Sequence, residues 1–188
     1  EAVLSLVQEF DNPAAVIVKH TNPCGVAIGD SLKEAYQRAL AADEVSAYGG
    51  IVGLNRRIDK DTAEELVKIF LEAVIAPSVD ADALEVLAAK PNLRVLECGE
   101  MNGAPGGFDL KKVSGGFLVQ ENDTGYVPPA EWKVVTEQKP SEKDLEELAF
   151  AWKVVKHVKS NAIVVTKDNV TLGVGAGQMN RVGSAEIA

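Results

Sequence analysis

A lysine and a histidine stand side by side where an apolar run ends, in the pentad Lys19-His20-Thr21-Asn22-Pro23. An ammonium can hold a developing negative charge, and an imidazole can move a proton near neutral pH. Together they suit a reaction that passes through an oxyanion while a proton changes hands. Asn161, in Lys159-Ser160-Asn161, adds an amide that both donates and accepts, as orienting an amine or another amide requires. The same residue type also ends helices in left-handed geometry, and the local pattern taken alone fits that use somewhat better. Ser46-Ala47-Tyr48-Gly49-Gly50 offers paired glycines whose backbone can approach a ligand and bind an anion through its N–H groups. A plain turn before a strand has the same pattern. Gly173-Val174-Gly175-Ala176-Gly177 leads on to Arg181. It lacks the third glycine of Gly-x-Gly-x-x-Gly in register, so as a dinucleotide loop it is weak. As a Gly-rich turn it would bring the planar fork of Arg181 toward an anion.

Zinc is not expected. His20-x-x-x-Cys24 with Cys98 supplies ligand types, but a zinc deaminase carries His-x-Glu and a later Pro-Cys-x-x-Cys. Neither pattern is met, and Cys24 reads as a small packing residue in a turn.

The elements that must position these residues alternate. Val3, Leu4, Leu6, Val7 and Phe10 have helical spacing, and Ala14 to Val18 reads as a strand buried on both faces, with Lys19-His20 at its carboxyl end. In open α/β sheets, ligands bind outside those ends. Ser31-x-x-Glu34 predicts a capped helix with Leu32, Ala35, Ala39 and Leu40 inward. Ile51 to Leu54 reads as a strand. Asp61-x-x-Glu64 predicts a second helix with Leu66, Ile69, Phe70, Ala73 and Val74 inward, stopped by Pro77. A third helix is expected over Asp82 to Lys90 and a strand over Leu93 to Cys98. Residues 99–131 are rich in Gly and Pro around a strand-like Val113 to Gln120. Ser141-x-x-Asp144 caps a further helix with Leu145, Leu148, Ala149, Trp152 and Val155 inward. Ala162 to Thr166 and Val170 to Val174 read as strands around the turn Lys167-Asp168-Asn169. The first and last segments both carry helical periodicity, which reads as a piece of a longer protein.

Of 188 residues, 46% are hydrophobic and 25% charged, a soluble globular profile. The net charge of −9 argues against nucleic-acid binding through a general positive surface. No apolar run approaches the length of a membrane span. Two cysteines are too few for a disulfide framework and suit a reducing compartment.

Four long motifs occur in order: Lys-His-Thr-Asn-Pro-Cys-Gly, Ser-Ala-Tyr-Gly-Gly-Ile, Trp-Lys-Val-Val-Lys-His-Val-Lys-Ser-Asn-Ala-Ile and Gly-Ala-Gly-Gln-Met-Asn-Arg-Val. With them the chain resembles the formyltransferase domain of bifunctional purine biosynthesis proteins. In that family a phosphoribosylaminoimidazolecarboxamide (AICAR) formyltransferase is fused to an IMP cyclohydrolase. The resemblance implies an α/β fold, a cytidine-deaminase-like αβα sandwich used twice and without its zinc. Residues 1–110 would form the first subdomain, 111–140 a connector, and 141–188 the start of a second, similar one. It implies formyl transfer from 10-formyltetrahydrofolate to the 5-amino group of AICAR, in a cytoplasmic homodimer with no nucleic-acid or membrane partner. The family's catalytic residues fall on Lys19, His20 and Asn161, and its nucleotide contacts on Tyr48, Gly49, Glu72 and Arg181. Glu72 is expected at the end of the second helix. Parts of the family's nucleotide, folate and potassium sites lie in segments upstream and downstream of this one. The rival reading is a non-enzymatic binding or assembly module that kept the fold. A pure scaffold has no need of Lys19, His20, Asn161 and Arg181 together.

Overall fold

In the computed structural model, which describes residues 1–101 and 106–188, a seven-stranded sheet carries helices on both faces. Its first strand β1 (Ala14–Lys19) is buried from Ala14 to Val18, as the uninterrupted apolar run requires. Side chains alternate along a strand. Ala14, Val16 and Val18 therefore meet α1 (Ala2–Val7), while Ala15 and Ile17 meet the opposite layer.

The chain does not leave β1 into a helix. It reverses at His20-Thr21 and returns antiparallel as β2 (Asn22–Ile28), pairing Lys19 with Asn22 and Val16 with Val26. Pro23 and Cys24, expected in a turn, thus lie in a strand. Then α2 (Leu32–Ala42) begins where its Ser31 oxygen accepts from Glu34 N at 3.2 Å. The carboxylate of Glu34 reaches back to Asp30 N, not Ser31 N, so the predicted capping box is half made. Tyr36, absent from the predicted inward face, is fully buried there. A short helix α3 (Glu44–Ala47) precedes β3 (Gly50–Leu54), which pairs antiparallel with the other edge of β1.

The second predicted helix is corrected. α4 (Lys60–Leu66) is capped by Asp59, two residues before the predicted cap. It ends at Leu66, and residues predicted to continue it form β4 (Leu71–Ala76), parallel to β3. Leu71, Val74 and Ala76 are buried while Glu72 is exposed. The helical spacing of Leu66, Ile69, Phe70, Ala73 and Val74 was a coincidence across a break. The β-branched pair Val74-Ile75 and a sheet edge to fill decided for strand. Next, α5 (Ala81–Leu87) and β5 (Arg94–Glu97) complete the parallel side.

The predicted single strand at 113–120 is a hairpin of β6 (Phe108–Val113) and β7 (Gly116–Glu121), exposed throughout and separate from the main sheet. The helix α6 (Glu142–Lys156) has the predicted cap, a full capping box between Ser141 and Asp144. Its inward face differs from the predicted one. Phe150 and Val154 are buried, whereas Leu148 and Trp152 are about half exposed. Finally, β8 (Ile163–Lys167) and β9 (Val170–Gly175) form a hairpin whose β9 joins β2, so residues 163–175 extend the first sheet. Helix α7 (Arg181–Ile187) closes the chain. The strand order is β5-β4-β3-β1-β2-β9-β8. Helices α2, α4 and α5 cover one face and α1 and α6 the other. Among the described residues no helix is long and apolar enough to cross a membrane.

Candidate active site

Because β1 lies in the middle of the sheet, its carboxyl end is held by strands on both sides. That end carries Lys19, half-buried, and His20, exposed in the two-residue reversal. Both turn residues have positive φ, 49° at His20 and 67° at Thr21. A two-residue hairpin of matching twist demands this, and it normally recruits Asn-Gly or Asp-Gly. Here the tip holds an imidazole outside the sheet.

Lys19 is fixed from the next strand's approach. Its Nζ donates to the carbonyl of Ser46 at 3.4 Å and to that of Tyr48. Those carbonyls lie in the last turn of α3 and in the Tyr48-Gly49 link to β3, so the two motifs that looked separate in sequence meet through one ammonium. Gly49 has φ 70°, and a Cβ there would lie 3.5 Å from both Lys19 Nζ and the Phe70 ring. Its N–H donates to Phe70 O at 2.8 Å. Tyr48 and Phe70 pack with ring centroids 5.5 Å apart. Phe70 was assigned by sequence spacing to a buried helix face; it stands instead in the link before β4, about 38% exposed. An apolar residue just ahead of a β-branched run was the signal available.

These groups line one open cleft of about 600 Å³, which includes Lys19, His20, Tyr48, Gly49, Phe70 and Glu72. Glu72 reaches it from β4, not from a helix end. Its carboxylate accepts from Arg94 Nη1 at 2.8 Å, on the neighbouring strand β5. Carboxylate, ammonium and imidazole thus arrive at one end of the sheet from β4 and β1, with β3 between the two strands and aromatic rings beside them. Such a lining can hold a polar, flat, hydroxyl-bearing molecule and handle charge beside it.

Asn161 does not line that cleft. It follows α6, where its N–H and Nδ2 both donate to Gln178 O, at 3.1 and 2.9 Å. Its Oδ1 has no hydrogen-bond partner among the described residues. The segment is nevertheless tied to the hairpin tip: Lys159 Nζ donates to Thr21 Oγ1 at 2.7 Å, and Lys159 N to Asn22 Oδ1 at 3.3 Å. Arg181 opens α7, exposed and away from the cleft. Packing explains Gly173 and Gly175, since a Cβ on Gly175 would lie 1.9 Å from Ser184 O on α7, while Gly177 is required by its φ of 66°.

Burial pushes the Cys24 thiol up to about 11, and the charge of Asp43 adds to the effect. Its Sγ points at Ile17 O, 3.5 Å away. Cys98 is exposed beyond β5. Among the described residues no three His, Cys, Asp or Glu side chains gather where they could hold a metal ion.

The comparison with known proteins agrees with the motifs. The family described as "AICARFT/IMPCHase bienzyme" matches residues 1–188. The chain is 58% identical over 189 residues to the bifunctional purine biosynthesis protein PurH of Nostoc punctiforme, covering 100% of this chain and 37% of that protein. The PurH proteins of Synechocystis (58% over 190 residues) and Acaryochloris marina (56% over 192) match along the whole chain too. It therefore spans just over a third of the length of these relatives. Among solved structures, RibD of Acinetobacter baumannii overlaps with a TM-score of 0.36 at 22% identity, over 50% of this chain and 31% of that one, too slight a likeness to bear on the fold. With a match that runs from the first residue to the last, the chain belongs to the AICARFT/IMPCHase bienzyme family.

Proposed function

We propose that this chain forms the catalytic face of an AICAR formyltransferase, part of a protein that also carries an IMP cyclohydrolase. The observation that carries the reading is the pairing of Lys19 and His20 at one strand end, on the rim of a cleft they share with Tyr48, Gly49 and Glu72.

The reaction needs what those groups offer. The 5-amino nitrogen of AICAR is a poor nucleophile because its lone pair is delocalised into the ring. It attacks the formyl carbon of 10-formyltetrahydrofolate, a C–N bond forms, and the carbonyl oxygen becomes an oxyanion. The bond from that carbon to N10 then breaks, the carbonyl re-forms, the attacking amine loses a proton and N10 gains one. His20, outside the sheet and unencumbered by hydrogen bonds among the described residues, takes the amine proton. Lys19 supplies fixed positive charge. Two of its three N–H donors are occupied by the carbonyls of Ser46 and Tyr48, which leaves one for the oxyanion. Asn161, outside the cleft in this chain alone, offers Oδ1 to orient the amine once the rest of the protein completes the site. Glu72 accepts from nucleotide hydroxyls while Arg94 holds its other side, Tyr48 and Gly49 bracket the nucleotide, and Arg181, outside the cleft in this chain alone, takes an anionic group in the completed site. The finer fold in this reading is the cytidine-deaminase-like sandwich, with residues 1–110 as a first subdomain, 111–140 as connector and 141–188 leading into a second while lending β8 and β9 to the edge of the first sheet. The whole protein acts as a cytoplasmic homodimer without zinc.

The test is direct. A full-length protein carrying this segment is supplied with AICAR and 10-formyltetrahydrofolate, and tetrahydrofolate is followed. Stoichiometric tetrahydrofolate and formylated nucleotide support the reading. No transfer by a folded protein that binds both substrates defeats it.

A further inference from the structure

The hairpin tip that carries His20 is made of unsuitable residues. Thr21 is β-branched, yet it stands at φ 67°, where such residues are outliers and the backbone is strained. The β8–β9 hairpin shows the ordinary solution, with Asp168 at φ 53° and Asn169 at φ 57°. Something beyond the β1–β2 turn has to hold Thr21 where it is.

Lys159 makes the contacts that do so. Its Nζ donates to Thr21 Oγ1 at 2.7 Å, and its backbone N–H to Asn22 Oδ1 at 3.3 Å. One residue thus grips two consecutive positions of the tip. Lys159 is itself anchored, since its carbonyl accepts from Gly177 N at 2.7 Å. Two residues on, Asn161 and Gln178 exchange backbone hydrogen bonds at 3.1 and 3.3 Å. A continuous line of bonds runs from the Gly177-Gln178 turn through Lys159 to Thr21, next to His20. The contact spans 138 residues of sequence and joins the two polar motifs. Lys159 forms no ion pair with a carboxylate among the described residues, and it does not line the cleft. Its ammonium is spent on a neutral hydroxyl, a charge-assisted bond whose visible effect is on the turn.

We infer that Lys159 is a positioning residue, which latches the β1–β2 tip and so aims the His20 imidazole for proton transfer. The inference rests on the formyl-transfer reading for its kinetic consequence, but the latch itself is a matter of where one ring sits. A misplacement of about 1 Å in a catalytic group can cost about 100-fold in rate.

The experiment compares Lys159→Met, Thr21→Val, the double variant and Lys159→Arg in a full-length protein carrying this segment. Each single change should lower kcat about 10-fold while nucleotide KM stays within about twofold. The double variant should be no slower than the slower single, because both remove one bond. Lys159→Arg, which keeps a donor, should recover most of the rate. In parallel, the proteins are labelled with ring-¹³C histidine and the His20 signal is assigned by His20→Gln. That signal should shift in Lys159→Met and Thr21→Val, while the signal of His157, bonded to Glu9, stays in place. Unchanged kcat, additive losses, or slowed variants with an unmoved His20 signal would each overturn the latch. If the unmodified protein transfers no formyl group, the functional reading falls, and the latch stands or falls on the His20 signal alone.

Discussion

His20 owes its exposure to a backbone conformation that few residues accept, and that makes it the sharpest point of attack. If it acts in the transition state, His20→Ala removes most formyl transfer, about 100-fold or more, and leaves nucleotide affinity nearly unchanged. Single-turnover rates alongside nucleotide titration check this; near-normal turnover would take His20 out of the mechanism. The cysteines give a second prediction at this scale. With its thiol held near 11 by burial and by Asp43, Cys24 is almost wholly protonated at neutral pH and faces Ile17 O. Iodoacetamide at pH 8 should label Cys98 first, and peptide mapping reads the order. That Lys19, His20 and the glycine turn were worth placing together was legible because a cation, an imidazole and paired glycines are costly decorations for strand ends, and they do line one cleft. What sequence could not give was their meeting. No pattern in Lys19 or Ser46 announces an ammonium donating to the carbonyls of Ser46 and Tyr48, because backbone carbonyls leave no residue signature.

The C-terminal half of α6 is bound to Glu9 and Phe10, just after α1, by two different means, and each predicts its own measurement. Phe150 is buried and lies 5.4 Å from Phe10, centroid to centroid. Phe150→Ala should cost about 3–5 kcal/mol in urea unfolding, the usual range for a large cavity. Beside it, Glu9 accepts from His157 at 2.8 Å and from Lys156 at 3.0 Å. Burial alone would raise the Glu9 pKa, but the hydrogen bonds from His157 and Lys156 and the Lys156 charge outweigh it and hold the carboxyl below 4.5. A depressed folded pKa stabilises the fold above the unfolded value and ceases to do so as protons bind. Stability should therefore be flat in this respect above about pH 5 and fall as pH drops through and below 4.5. Glu9→Gln should be less stable at pH 7 and show a shallower acid loss. The Ser141 cap of α6 was plain in sequence, because capping is a local matter of four residues. Its inward face was not, because Leu148 and Trp152 satisfy helical spacing as well as Phe150 and Val154 do. The same ambiguity turned Leu71–Ala76 from strand into helix. Spacing at 3.6 residues survives a chain break if the apolar residues on either side happen to fall in phase.

At the scale of the molecule, the 188-residue chain on its own should show no measurable formyl transfer, although it holds Lys19, His20 and Asn161. It spans 37% of its relatives' length, and Asn161 and Arg181 do not reach the cleft here. Orientation by remote contacts is worth effective molarities of about 10⁵–10⁸ M, so groups without clamps keep little of the rate. The purified chain with both substrates settles it, and turnover near that of an intact relative would show the rest to be dispensable. The antiparallel register of β6 and β7 also puts Phe108, Leu110, Phe117 and Val119 on one exposed face. Sedimentation should show concentration-dependent self-association, reduced by Phe117→Ser. One join inside the sheet has a consequence for motion. Strands β2 and β9 share a single residue pair, Ala27 with Val170, and alongside it Val26 N–H is received not by a backbone carbonyl but by the hydroxyl of Thr171, at 2.9 Å. A side chain can swing away where a peptide group cannot. The sheet should therefore part along this line before it unravels anywhere else in its interior. In deuterium exchange the Val26 amide should open well ahead of Ile17, one strand away, and Thr171→Val should widen the gap without unfolding the protein. The segment that would tilt in such an opening carries Lys159 and Asn161 with it. The same weak hem would then let the Lys159-Asn161 segment draw back from the hairpin tip and return, as a hinge beside the cleft rather than a wall of it.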